Sequence, residues 1–272
     1  MNRHIGVIVI IAAAIGIGIA NIASASGIYA EPSFGAWYGD TRQSSWYGSY
    51  AELSLLTKVN SQAGTWYTGL DTLGSYDNGK MKTGGYHWNG VTAGGGPMVQ
   101  YFSELDGEKS WQWQGKGLLE FEQVDGSNHT SGNNFSMTQK SILAYLYSEY
   151  IKRETNHFLW GILADGRIGA ASTIETSSSG VEADNRDSAS LSGLVQYQFS
   201  DAFQGRLTAT GLYQGWEKDK KFGFALSPEA RINETFIFGV KAAEIGGDYS
   251  VTGYLRIELG KFPDPAARGR RW

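Results

Sequence analysis

Residues Tyr249–Phe262 read YSVTGYLRIELGKF and alternate between apolar and polar side chains. The apolar set is Val251, Leu255, Ile257 and Leu259, and the polar set is Ser250, Thr252, Arg256 and Glu258. A period of two places the sets on opposite faces of a β-strand. A tilted strand of about 9–11 residues spans the hydrocarbon core of a bilayer, so this segment is long enough to cross a membrane.

The opposite end of the chain has the pattern of an export signal. A basic start precedes an apolar run over residues 5–20, and Ala23-Ser24-Ala25 matches the site at which signal peptidases cut. We expect residues 1–25 to be a removed signal peptide, with a cut after Ala30 or an uncleaved anchor helix as alternatives. No second apolar run approaches the roughly 20 residues of a membrane helix, so a mature chain that crosses a membrane must form a closed barrel.

The composition is that of a strand-rich protein. The chain has 37 Gly, 9 Trp, 15 Tyr and 12 Phe but only 5 Pro, which is typical of strands, tight turns and interfacial aromatic residues. It has no Cys, which excludes disulfide frameworks and thiolate metal sites. A net charge of -4 gives no reason to expect nucleic acid as a partner.

Alternating runs separated by Gly, Asn, Asp and Lys clusters predict about twelve strands in one domain. We expect a lead-in at 26–45, a barrel at 46–262 and a basic periplasmic tail at 263–272. Segment 141–153 fits a short helix nearly as well as a strand. The predicted strands are 46–58, 65–75, 81–93, 97–105, 110–124, 135–152, 157–175, 188–199, 204–216, 222–232, 235–244 and 248–262.

The connections between these strands give an orientation. In an even-stranded barrel with periplasmic termini, odd-to-even connections face the cell exterior and are the longer ones. The two longest predicted connections, 125–134 and 176–187, obey this rule. The even-to-odd connections at 77–80, 106–109 and 233–234 have the composition of tight turns.

The clearest strands also predict which face meets lipid. Leu191, Val195 and Phe199 alternate with Ser192 and Gln196, and we expect the apolar set to point outward. A soluble barrel would point the same set inward. Strand length and aromatic residues near strand ends favour the membrane arrangement, since such rings suit the headgroup zone. The aromatic residues in question are Trp46, Tyr47, Trp66, Tyr67, Trp111, Trp113, Trp160 and Trp216.

With these features the chain resembles Gram-negative outer-membrane β-barrel proteins. The final strand ends at Gly260-Lys261-Phe262, similar to the terminal signal that their assembly machinery recognises, although residues 263–272 follow it. The resemblance implies an all-β, transmembrane, antiparallel up-and-down barrel in the bacterial outer membrane. Its expected partners are outer-membrane lipid, lipopolysaccharide and the assembly machinery. The class contains channels, exporters, enzymes and structural barrels, so the fold does not select an activity.

The inward face is where a function would reside. It is predicted to carry six acidic and six basic residues, which either pair across the barrel or form a charge-selective constriction. Barrels of about eight strands are filled by side chains and those of sixteen or more are open, so about twelve permits either outcome. The twelve residues are Glu52, Lys116, Glu120, Glu122, Asp165, Arg167, Arg206, Glu229, Arg231, Lys241, Arg256 and Glu258.

The leading functional prediction is a narrow channel for small polar solutes or saccharide chains, in uptake or exopolysaccharide export. The alternative is a non-conducting structural or partner-binding barrel, with a lipid-modifying enzyme or a soluble periplasmic barrel ranked lower. Tyr50, Tyr67, Tyr101 and Tyr254 are either saccharide platforms or packing residues.

We expect no enzyme, cofactor or metal site. None of His87, His129 and His157 lies in a recognised catalytic motif. The tail contains Arg268, Arg270 and Arg271. It is predicted either to contact a partner, to plug the lumen or to be disordered.

Overall fold

The computed structural model describes residues 28–61, 64–104, 109–128, 134–176, 180–183, 187–214, 219–233 and 235–259. The expected signal peptide and basic tail lie outside these residues. The strands are β1 (Ile28–Asp40), β2 (Ser44–Ser61), β3 (Gly64–Met81), β4 (Tyr86–Glu104), β5 (Lys109–Asn128), β6 (Asn134–Arg153), β7 (Phe158–Thr176), β8 (Gly180–Ala183), β9 (Ser188–Ser200), β10 (Phe203–Gln214), β11 (Asp219–Arg231), β12 (Phe236–Ile245) and β13 (Asp248–Ile257).

These strands form one closed antiparallel barrel. Each wall strand pairs with the next along the chain, and β1 pairs with β13 to close the sheet. The four-residue β8 pairs with the end of β7, and β9 continues the same seam, so the described wall has twelve strands. This confirms the predicted fold class. We call the end with the β5–β6 connection upper, and the end where β1 begins and β13 ends lower.

The barrel begins at Ile28, so the prediction of a lead-in at 26–45 is wrong. Strand β1 hydrogen-bonds to β2 on one side and to β13 on the other. Its sequence, IYAEPSFGAWYGD, hides the alternation because Pro32 and two glycines interrupt it. Its two neighbours supply the pairing that its own pattern does not indicate. The alternative signal cut after Ala30 would fall inside this strand.

Predicted strands 81–93 and 97–105 are one strand, β4. The run Gly94-Gly95-Gly96-Pro97 suggested a turn, but Pro97 lies opposite Leu70 of β3, and only its register with β5 is interrupted. A Cβ at Gly96 would lie 1.9 Å from the Gly117 carbonyl oxygen, so glycine permits the close approach of β4 and β5.

The missed first strand and the extra split strand cancel, so the strand count is correct and the later connections alternate between the two ends of the barrel in the predicted order. The predicted connections at 106–109 and 233–234 separate strands, whereas 77–80 lies within β3 and is not a turn. No helix among the described residues is long and apolar enough to cross a membrane.

The outer surface is apolar, as the alternation predicted. Leu191 and Phe199 are 63% and 61% exposed, whereas Ser192 and Gln196 on the opposite face of β9 are buried. On β10, Leu207 is exposed and Arg206 is buried. The arrangement of a soluble barrel, with the apolar set inside, is therefore contradicted.

Aromatic side chains gather on the outer surface near the lower end. Trp66 packs on Tyr101 with ring centroids 4.8 Å apart and on Trp113 at 5.3 Å. Tyr150 and Trp160 continue this aromatic girdle on β6 and β7. Such rings suit a membrane interface. Trp46 and Tyr67 instead occupy inward positions, and Trp216 lies outside the described residues.

The wall is higher on one side of the barrel than on the other. Strands β2 to β7 have 18 to 20 residues each. Strands β9 to β13 have 10 to 13. The long strands therefore carry the backbone beyond the outward apolar band.

Candidate functional site in the barrel interior

All twelve charged residues predicted for the lumen occupy inward positions. On β5, for example, Gln112, Gln114 and Leu118 are buried, and period two places Lys116, Glu120 and Glu122 on the same face. The interior also holds charged residues that the sequence analysis did not select. The most important are Asp71 on β3 and Glu149 on β6, which are 0% and 1% exposed.

Lys116 joins three strands on one side of the interior. Its Nζ lies 2.6 Å from Asp71 Oδ2 and 3.4 Å from Glu52 Oε1. Ser54 Oγ donates a second hydrogen bond to Asp71 at 2.5 Å. Lys116 Nζ also lies 5.6 Å from the centre of the Tyr145 ring. One half-buried cation thus contacts two buried carboxylates, which need partners because they are removed from water.

Glu149 is the centre of the second cluster. Its Oε2 accepts a hydrogen bond from Gln112 Nε2 at 2.8 Å, and its Oε1 lies 3.3 Å from Arg206 Nη1. Arg206 Nε donates to Gln196 Oε1 at 3.1 Å. Arg206 lies on β10, three wall strands from β6, so this ion pair reaches across part of the lumen.

The polar contacts continue around the barrel to β13. Gln196 donates to Gln204 at 2.8 Å, and Gln204 donates to Glu229 at 3.0 Å. Tyr254 donates its hydroxyl to the other oxygen of Glu229. Glu258 then lies 3.4 Å from the guanidinium groups of Arg231 and Arg256.

We call these charged residues the interior charge ring. Charges of opposite sign lie next to each other around the lumen, so the ring has no segregated acidic or basic half. At this level of the interior, the charged residues therefore have the first of the two predicted arrangements, in which opposite charges pair inside the barrel. The members of the ring are Glu52, Asp71, Lys116, Glu149, Arg206, Glu229, Arg231, Arg256 and Glu258.

The other predicted residues are more accessible. Glu120 and Glu122 lie above Lys116 on β5 and are half-buried, and Arg167 is half-buried on β7. Asp165 is exposed although it occupies an inward position, and it accepts a hydrogen bond from Ser190. Lys241 on β12 interacts electrostatically with Asp165 across the lumen. Solvent thus reaches charged groups inside the barrel.

Apolar side chains fill part of the lower interior. Leu56, Tyr67 and Met98 form one cluster, and Tyr29 packs edge-on against Tyr67 at 5.4 Å. A second cluster consists of Ile151, Leu159 and Leu194, with Leu163 packed against it. Of the tyrosines considered as saccharide platforms, Tyr50, Tyr67 and Tyr254 are buried inside and Tyr101 belongs to the outer girdle.

A cavity of about 240 Å³ lies at the lower end, between the β9–β10 turn and the ends of neighbouring strands. Its polar lining includes Arg153, Asp201, Glu229 and Arg231. The cavity therefore adjoins the interior charge ring, which shares Glu229 and Arg231 with it. Among the described residues, no group of three or more His, Asp or Glu side chains could hold a metal ion.

Solved structures with similar architecture include two autotransporter domains and a channel. The translocator domain of NalP from Neisseria meningitidis is 10% identical, with coverage of 92% of this chain and 96% of that chain and a TM-score of 0.60. The β domain of the Bordetella autotransporter Brka is 13% identical, with coverage of 87% and 100% and a TM-score of 0.58. A TodX deletion mutant, a monoaromatic hydrocarbon channel, is 8% identical, with coverage of 86% and 90% and a TM-score of 0.51.

No protein-family profile and no curated protein sequence matches the chain. Identities at this level show a shared fold alone. The chain has the fold of Gram-negative outer-membrane β-barrel proteins, as the resemblance in the sequence implied.

Proposed function

We propose that this outer-membrane-type barrel is a narrow channel for small polar solutes and resides in the bacterial outer membrane. The observation that carries the proposal is the gradient of exposure along the inward face. Asp165 is exposed inside the barrel, Glu120 and Glu122 are half-buried, and Glu149 in the interior charge ring is 1% exposed. A wet path that narrows at a ring of paired charges is the geometry of a channel with a constriction.

The paired charges predict what the constriction discriminates. A ring of one sign would favour ions of the opposite sign, whereas neighbouring charges of opposite sign cancel over a short distance. We therefore expect weak ion selectivity and discrimination by size. Uncharged hydroxylated solutes such as short saccharides suit a lumen with Gln, Ser, Thr and Tyr hydrogen-bonding groups beside the ring.

The test is the planar-bilayer conductance of the refolded protein. We expect small, reproducible channels with little preference between cations and anions. Replacing Arg206 by methionine shortens the side chain that crosses toward β6, and conductance should rise. Replacing Lys220 on the outer surface by alanine is the control and should leave conductance unchanged. Correctly folded protein without any conductance would contradict the proposal.

The second candidate is a non-conducting structural or partner-binding barrel. The observation that favours it is the burial of the Lys116 and Arg206 ion pairs beside two apolar clusters, since these groups fill part of the lumen. A folded barrel that remains silent even with Arg206 replaced would support this candidate. In either case we propose outer-membrane lipid, lipopolysaccharide and the assembly machinery as partners, and no catalytic activity.

A further inference from the structure

Three tryptophans lie on the inward face of the wall near the upper end of the barrel. Trp37, Trp46 and Trp88 occupy inward positions on β1, β2 and β4, and all three are half-buried. Tryptophans of the outer girdle are explained by the membrane interface, which suits their rings. That interface gives no reason for tryptophans inside the lumen, so these three residues need another explanation. We call Trp37, Trp46 and Trp88 the aromatic patch.

Each ring of the aromatic patch covers a glycine that is its partner on a neighbouring strand. A Cβ at any of these glycines would lie closer to the ring than van der Waals contact allows, so the ring fills the space of the missing side chain. The rings therefore lie against the wall, with one face turned to the backbone and the other to the lumen. The pairs are Trp37 with Gly48, Trp46 with Gly39 and Trp88 with Gly79.

The register of β1 with β2 arranges aromatic rings in a column down the wall. Trp46 and Tyr50 are inward residues of β2 four positions apart, and Trp37 of β1 lies at the level between them. Tyr50 is buried and supports Trp37 from below, with ring centroids 6.0 Å apart and planes 30° apart. The next inward residue of β2 is Glu52, a member of the interior charge ring. The column therefore leads from the upper end of the lumen to that ring.

Polar groups border the aromatic patch on both sides. On β13, the inward residues Ser250 and Thr252 pair with the part of β1 that carries Trp37. On β3, Trp88 Nε1 donates a hydrogen bond to Asp77 Oδ2 at 3.1 Å, which holds the carboxylate beside the ring. A carboxylate accepts up to about four hydrogen bonds, so Asp77 retains capacity to accept from a ligand. The patch thus combines flat apolar faces with hydroxyl groups and a carboxylate at its borders.

This combination matches the chemistry of a sugar ring. A pyranose has faces made of C–H groups, which suit the negative face of an aromatic ring, and hydroxyls at its edge that donate and accept hydrogen bonds. A hydrocarbon would leave Asp77 without a donor from the ligand. A quaternary ammonium group suits rings that enclose it as a cage, whereas these rings lie along one wall.

We propose that the aromatic patch binds neutral saccharide chains by stacking and guides them from the upper end of the lumen to the interior charge ring. The proposal rests on the proposed function, because it selects saccharides among the small polar solutes, but binding to the patch does not require conduction. It gives to inward tryptophans the role that the sequence analysis considered for four tyrosines.

The test measures binding of cellohexaose, a neutral chain of glucose rings, by isothermal titration calorimetry. The refolded protein is placed in vesicles of phosphatidylethanolamine and phosphatidylglycerol, which contain no sugar. Trp37→Leu/Trp46→Leu keeps apolar side chains over both glycines but removes two stacking faces, and we expect the affinity to fall about tenfold or more. Trp37→Phe/Trp46→Phe keeps both faces and should bind within about threefold of the unmodified protein.

Two further variants complete the set. Trp88→Leu removes a stacking face on a different strand pair and should lower the affinity about threefold. Trp111→Leu/Trp113→Leu makes the same exchange in the outer girdle, away from the lumen. It is the matched control and should bind like the unmodified protein.

Two other ligands test the chemistry of the site. Polyethylene glycol of similar length is a polar chain without sugar rings, and it should bind much more weakly than cellohexaose. Choline carries a quaternary ammonium group and should not compete with cellohexaose. Equal binding of polyethylene glycol, or displacement of cellohexaose by choline, would overturn the proposal.

Unchanged affinity in every leucine variant of the patch that folds would refute the stacking site. Equal losses in Trp37→Leu/Trp46→Leu and Trp37→Phe/Trp46→Phe would also refute it, because packing over the glycines would then explain both. Planar-bilayer conductance is recorded in parallel. Protein that binds cellohexaose but does not conduct would remove the channel proposal alone, and conducting protein that does not bind it would remove the saccharide site alone.

Discussion

Replacing Glu149 by glutamine tests whether the interior charge ring is shielded from water. Glu149 Oε1 and Arg206 Nη1 are 3.3 Å apart, and their side chains are 0% and 5% exposed. Glutamine has nearly the same shape and can keep the contact with Gln112, but it leaves the Arg206 cation without its carboxylate. The substitution therefore changes charge far more than packing.

The expected cost follows from this geometry. Two unit charges 3.3 Å apart attract each other by about 5 kcal/mol at an effective dielectric constant of about 20. Desolvation of both groups offsets part of that attraction, so we expect a net coupling of about 2–3 kcal/mol. The single substitution also leaves a buried charge unpaired, and it should lower the free energy of unfolding by about 3–5 kcal/mol.

The assay is equilibrium urea unfolding in phosphatidylcholine vesicles, followed by tryptophan fluorescence. Glu149→Gln, Arg206→Met and the double variant form a cycle in which the double variant should be more stable than either single variant. Asp165→Asn is the control, because Asp165 also faces inward but is exposed. Loss of the Asp165 charge should lower the free energy of unfolding by less than about 1 kcal/mol.

A coupling energy near zero would refute the reasoning. If each single substitution lowered the free energy of unfolding by less than about 1 kcal/mol and the two effects added in the double variant, water would have to solvate both charges. The lumen would then be open at this level, and the constriction proposed for the channel would have to lie elsewhere.

Lys116→Met should remove the cation beside Glu52 and Asp71. The ring then gains net negative charge, and the reversal potential in a KCl gradient should shift toward cation selectivity, by about twofold in permeability ratio. Gly79→Ala places a Cβ 2.1 Å from the Trp88 ring and should lower the free energy of unfolding by about 1–3 kcal/mol in the same urea assay. Gly193→Ala is the control and should leave the free energy of unfolding unchanged, because a Cβ at that position would have no neighbouring atom within 4 Å. At the lower turn, the hydrogen bond from Lys152, and after it that from Trp160, lowers the pKa of the Glu154 carboxyl below its ordinary 4.5. The ionised Glu154 carboxylate therefore stabilises the protein at pH values above 4.5, and this stabilisation is lost as the pH falls through the lowered pKa. When the pH is lowered, we expect the urea midpoint of the Glu154→Gln variant to fall less than that of the unmodified protein.

The strands that could be predicted from sequence are those with uninterrupted alternation. The predictions at 188–199 and 204–216 differ from β9 and β10 by only one or two residues at any end. Strand β1 and the middle of β4 could not be predicted, because glycine has no side chain to show a period-two pattern and proline, which has no backbone N–H, argues against a strand. In both places, hydrogen bonds to neighbouring strands decide the structure, and a sequence read one segment at a time does not contain them.

For the candidate site, the sequence could predict only which residues lie on the inward face of the barrel wall. Alternation placed Glu52, Lys116 and Arg206 inside, but it could not show that Lys116 reaches from β5 to Glu52 on β2, since that contact depends on the register around the barrel. Asp71 was overlooked because Gly69 weakens the alternation of β3. Glu149 was overlooked because its segment fits a helix nearly as well as a strand.

The pairing of β1 with β13 concentrates the difficulty of folding at one seam. Ser33 lies opposite Arg256, so this seam joins residues separated by almost the whole described chain, whereas the others join strands that are close in sequence. Hairpins between neighbouring strands can form early and independently. One edge of β1, however, stays unpaired until β13 has been added to the sheet. During that interval, the unpaired edges of β1 and β13 can pair with the wrong strand. Protection of these two edges is therefore the folding step that most needs another protein.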